Sequence, residues 1–110
     1  MESLHKRLER IEYHQRLLAK CLTDEFSFTK LIVLKDLSAE EVEEFLKICE
    51  NLNNKLEEQR AEGFVCFHPL LKEFQENLNA KLNLVETVEA CLKQRIFPEL
   101  MGEFMKLLND

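Results

Sequence analysis

Residues 1–22 read MESLHKRLERIEYHQRLLAKCL, and their spacing governs how the rest of the chain is understood. Met1, Leu8, Gln15 and Leu22 recur at every seventh residue, with Leu4, Ile11 and Leu18 three residues further on. This is the heptad period of a coiled coil. A helix with so narrow an apolar seam needs a partner to bury it, so the stretch predicts self-association of a helical protein. Gln15, polar in mid-seam, would fix the register. The second half adds Tyr13, Leu17 and Cys21, a row beside the seam that predicts a stalk wrapped by the body as it proceeds.

The composition agrees with helix. Of 110 residues, 45% are hydrophobic and 33% charged, with only 2 Gly and 2 Pro, so chain breakers are scarce. This length fits one domain, residues 1–110, divided into an N-terminal oligomerisation helix (1–22) and a helical body (23–110). Such a chain buries roughly 65% of its unfolded surface, enough for a modest core. No run of about 18 apolar residues predicts a membrane span. The basic start has no apolar stretch after it of the kind a secretory signal needs. The expected location is therefore cytoplasmic, and Cys21, Cys49, Cys66 and Cys91, none in a C-x-x-C pair, are expected to be buried, reduced thiols.

Punctuation sets the remaining elements. A second helix is expected over about 26–35, around the continuous apolar run Leu31, Ile32, Val33 and Leu34. A strand fits that run equally well by period, but nothing else in the chain resembles a strand to pair with it. Ser38 with Glu41 forms a capping box opening the third helix, and Gly63 supplies its left-handed stop, with Phe64 placed for a Schellman contact. Phe64, Val65, Cys66 and Phe67 then read as a buried connector. Pro69 suits the first turn of a fourth helix, Asn83 with Glu86 caps a fifth, and Pro98 opens a sixth. The fold class is thus all-α, a multihelical bundle of about six helices with a long N-terminal helix carrying the heptad seam.

Charge is polarised. Residues 1–22 hold five basic and three acidic side chains, whereas residues 38–63 hold three basic and eight acidic ones, within a net charge of −6. The acidic segment repels phosphate, which argues against nucleic acid. The joint over 35–41 superficially resembles a helix-turn-helix, but its second helix opens with Glu40, Glu41, Glu43 and Glu44 and could not enter a major groove. Those four glutamates read as a solvated first turn favoured by the helix dipole; they lack the Asp/Asn/Gly loop of a calcium site. His5, His14 and His68 are scattered and no two cysteines lie at zinc-ligand spacing. His14 and Cys21 are separated by about 10 Å of helical rise. Cys49 sits in the acidic helix and Cys91 on an apolar stripe, neither the electropositive setting of a reactive thiol. His68 before Pro69 reads as local capping.

Several of these residues also carry a resemblance. Arg7-Leu8-Glu9-Arg10-Ile11-Glu12-Tyr13 resembles the YhaI-like proteins, small bacterial proteins of the Bacillus group. So do Leu37-Ser38 with Glu40-Glu41, Ile48-Cys49, Gly63-Phe64-Val65 with Phe67, Leu78-Asn79 with Lys81-Leu82, Glu86-Thr87, and Pro98-Glu99-Leu100-Met101. The similarity spans nearly the whole chain and contains no catalytic motif. It implies an all-α fold and brings no site residues with it.

The resulting expectation is a cytoplasmic homo-oligomer acting as a protein–protein interaction or regulatory module, with no catalysis, cofactor or metal of its own. Its partner is a second copy, a trimer ahead of a dimer, and neither nucleic acid nor membrane. The interface residues are Leu4, Leu8, Ile11, Gln15, Leu18 and Leu22. The competing class is an enzyme or metal-dependent protein whose site assembles between subunits.

Overall fold

Ser38 shows how closely local chemistry sets the elements. Its hydroxyl accepts from the Glu41 amide at 3.1 Å while the Glu41 carboxylate accepts from the Ser38 amide at 3.0 Å, the reciprocal capping box. In the computed structural model, which describes residues 1–109, the helix so opened runs Ala39–Ala61 (α3). Before it come α1 (Leu4–Lys20), one turn of 3-10 helix at Asp24–Phe26 and α2 (Ser27–Leu34); after it come α4 (His68–Asn77), α5 (Leu84–Gln94) and α6 (Pro98–Leu108). Among the described residues there are six α-helices and no strand. Asp110, the last residue of the expected 1–110 unit, lies outside them.

Three helices end on a left-handed residue, of which one is glycine. Gly63 (φ 89°) closes α3, with the Phe64 amide donating to the Gln59 carbonyl at 2.9 Å and Gly63 to Arg60 at 3.1 Å, a Schellman end. Asp36 (φ 55°) closes α2 the same way, Leu37 donating to Ile32 at 3.0 Å. Arg95 (φ 60°) closes α5, Ile96 donating to Cys91 at 2.8 Å. Phe97 is also left-handed, at the turn into Pro98 and α6.

The helices pack in a chain of neighbours. α5 lies between α2 and α6, α3 between α4 and α6, and α1 rests chiefly on α2. Four phenylalanines, one each from α2, α3, α4 and α6, form the spine of the core. Ring centroids are 5.0 Å apart for Phe28–Phe45, 6.0 Å for Phe45–Phe74 and 5.1 Å for Phe74–Phe104. Cys49, Leu52, Leu56, Val88, Leu100 and Met101 fill in around them. α2 is pinned to α5 by Thr29 and Gln94, the Thr29 amide donating to Gln94 Oε1 at 2.9 Å.

Three expectations need correction here. α1, Leu4–Lys20, is shorter at both ends than the 1–22 expected, because Ser3 caps it by accepting from the Lys6 amide and Cys21 ends it. The connector is not buried as a whole. Phe67 alone enters the core; Phe64 and Cys66 are exposed and Val65 is 90% exposed, because one anchoring ring is enough to hold so short a joint. Cys21 and Cys66 are likewise exposed, each beside a helix end, while Cys49 and Cys91 are fully buried. Burial raises both core thiols, Cys91 to about 12, so they remain protonated small apolar groups.

Candidate interaction surface

The expected interface lies along α1. A helix advances about 100° per residue, so Leu4, Leu8, Ile11, Gln15 and Leu18 fall on one face. That face is open to solvent: Leu4 is 70% exposed, Leu8 50%, Ile11 49% and Leu18 68%. Leu22 does not join them. It lies past the helix end, half-buried, its amide donating to the Ala19 carbonyl at 3.2 Å.

The body covers a different flank from the one the sequence indicates. Leu17 and Ala19 project about 100° to either side of Leu18. Ala19 is the one buried residue of α1, so α2 packs on its side. Tyr13, Leu17 and Cys21, expected to be wrapped, are exposed on the opposite flank. Small Ala19 lets the two helix axes approach closely, which the larger side chains of the other row would prevent. The seam is therefore bordered by α2 on one side and by an uncovered apolar row on the other.

Where α1 passes the end of α2, an open groove of about 240 Å³ is lined by Glu12, Gln15, Arg16, Val33, Leu34 and Asp36. A neighbouring groove shares Gln15, Val33 and Asp36 and adds Leu18, Ile32 and Leu37. Val33 and Leu34 are 39% and 49% exposed. Sequence reasoning took residues 31–34 as one continuous apolar run and did not separate these two from it. Four consecutive helical residues point around most of the circumference, so some of them had to face outward. That signal was available.

Charges on the protruding part of α1 are satisfied locally or free. His5 pairs with Glu9 at 2.8 Å, and Arg10 reaches back to Glu2. Among the described residues Arg7, Glu12 and Arg16 make no ion pair. Elsewhere the acidic cluster divides. Glu41 accepts from Lys81 at 2.8 Å, from the Ser38 amide and from Asn79 Nδ2 at 2.6 Å, and these donors, Lys81 foremost, lower its pKa to about 2. That carboxylate is a structural joint between α3 and the loop before α5.

His14 stands beside Tyr13 on exposed α1, ring centroids 6.0 Å apart. His68 opens α4 with its Nδ1 3.6 Å from Cys66 Sγ, a contact that the two-residue spacing could have suggested. Among the described residues no three His, Cys, Asp or Glu side chains converge as metal ligands would. Nor is any helix among them long and apolar enough to cross a membrane.

The arrangement thus leaves an apolar seam uncovered on a bundle whose pattern runs end to end through the sequence. The model of a family described as "Protein of unknown function (DUF1878)" matches residues 1–109, nearly the full chain, and the chain belongs to that family.

Proposed function

We propose that this chain is a homo-oligomeric protein–protein interaction or regulatory module that assembles through α1. The observation that carries the reading is the seam itself: Leu4, Leu8, Ile11 and Leu18 repeat with the coiled-coil period on a helix whose own body leaves them at least about half exposed. A leucine-lined seam with Ile11 at the second position leans toward three strands, so a trimer is favoured over a dimer. In a parallel pairing Arg7 of one copy lies beside Glu12 of the next, and among the described residues neither makes an ion pair within its own chain.

In this reading the protein binds and does not catalyse. The core thiols are held protonated by burial, and Glu41, the one strongly perturbed carboxylate among the described residues, is committed to Ser38, Asn79 and Lys81. A net charge of −6 disfavours phosphate backbones as partners. Four thiols with no disulfide among them suit a cytoplasmic setting. The Arg7–Tyr13 segment and the Pro98–Met101 segment support placing the chain in the YhaI-like group of Bacillus proteins.

Light scattering after size exclusion tests the reading. The wild type should run as an oligomer, and Leu8→Asp with Ile11→Asp should dissociate it while the body keeps its helical circular dichroism. A wild-type monomer at tens of micromolar would overturn it.

A further inference from the structure

Self-association through the α1 seam leaves two features of the surface without a role. Val33 and Leu34 are open at the end of α2, and the row of Leu17 and Cys21 is open on the far flank of α1. Building on that self-association, we infer that a second copy docks in parallel across both α1 and the end of α2. Its Leu17 flank covers Val33 and Leu34, and its Arg7 enters the notch lined by Glu12 and Asp36.

The two flanks of α1 differ. One is bordered by α2; the other carries Leu17 and Cys21. When parallel helices close around a common axis, the flank on one side of each meets the opposite flank of the next. The uncovered row of one copy then faces the uncovered end of α2 on its neighbour, and both apolar strips are buried at once. An antiparallel two-fold would instead bring like flanks together. Glu12 and Asp36 would then face their own counterparts, a like-charge contact that costs stability.

Charge agrees with the parallel choice. The notch is lined by the carboxylates of Glu12 and Asp36 and by Arg16, while Lys81, which donates to the Asp36 carbonyl at 2.9 Å, is already held by Glu41 at 2.8 Å. One carboxylate is left over. In the heptad register, the flanking residue of one strand sits beside the residue five places later on its neighbour, which brings Arg7 to Glu12.

Area agrees as well. The seam exposes four large apolar side chains, Leu4, Leu8, Ile11 and Leu18, and Leu17, Val33 and Leu34 raise that to seven, moving the patch toward the ~800 Å² that each partner contributes to a standard stable interface. The seam by itself falls well short of that figure.

Sedimentation equilibrium on the full chain tests the inference with two sets of variants. Val33→Asp and Leu34→Lys, both outside α1, should each weaken assembly by about tenfold, the scale of a residue at an interface core. Their circular dichroism should match the wild type. Arg7→Glu should weaken assembly in a salt-dependent way, and Arg7→Glu combined with Glu12→Arg should restore it. If the Val33 and Leu34 variants assemble as the wild type does while the Leu8/Ile11 variant dissociates, α2 has no part and the inference fails with the α1 reading intact. Failure of the double charge reversal to restore assembly would overturn the parallel register. A monomeric wild type would remove the reading beneath both.

Discussion

Arg95 and Gly63 do the same backbone work with different side chains. Both hold a left-handed residue that ends a helix, and a Cβ in that region costs roughly 1–2 kcal/mol. Arg95→Gly should therefore raise the melting temperature by a few degrees. Gly63→Val should lower it by more than the helix cap Ser38→Ala does, because a β-branched side chain resists positive φ although nothing lies within 4 Å of its Cβ position. Equal melting shifts for the two glycine-site changes, in the same direction, would contradict this expectation. The cysteines divide at the same scale. Cys66 should react within minutes with a small alkylating reagent, and Cys49 and Cys91 only after denaturation, as intact-mass measurement would show. Fast modification of four thiols in the native protein would mean that the core is open.

At the level of the helices, most of the fold was legible because caps and stops are local. Ser38 with Glu41, Asn83 with the Glu86 amide, and the prolines at the starts of α4 and α6 all act within a few residues. Asp36 and Arg95 were not legible as stops, since no side chain announces a left-handed turn as glycine does. The Ser38 box has a reach that sequence could not reveal: Glu41 is also gripped by Asn79 and Lys81, about 40 residues away in the chain. Its carboxyl, held down to about 2 from an ordinary 4.5, binds a proton less readily in the folded chain than in the unfolded one. The stability it contributes is whole above about pH 4.5 and fades as pH falls toward 2. Ser38→Ala should cost about 1 kcal/mol at neutral pH. Glu41→Gln should flatten the acid limb of a stability–pH curve measured by urea titration; an unchanged limb would show that the joint contributes nothing there. Of the candidate surface, the seam was legible from period alone, and its α2 border was not, because it depends on which flank Ala19 offers to the body.

As a whole the molecule is long, 66 × 24 × 20 Å, with a radius of gyration of 16.8 Å where a compact chain of this size has ~13 Å. The excess is α1, whose first turns extend beyond α2. A helix this short is marginal in water without tertiary support. If α1 assembles as proposed, its amides over residues 4–11 should exchange hydrogen quickly in the Leu8→Asp, Ile11→Asp variant and slowly in the wild type, while those of α3 and α5 stay slow in both. Equal, slow exchange in the variant would mean that the stalk stands unaided.

The phenylalanine spine begins on α2, the same helix that borders the seam. Phe45 lies stacked at 26° to Phe28 and edge-on at 69° to Phe74, so its ring protons sit in the magnetic shielding of one neighbour and at the rim of another. Any tilt of α2 changes that shielding. The aromatic resonances of Phe45, wholly inside the core, thus form a built-in spectroscopic gauge of what happens at the α2 surface.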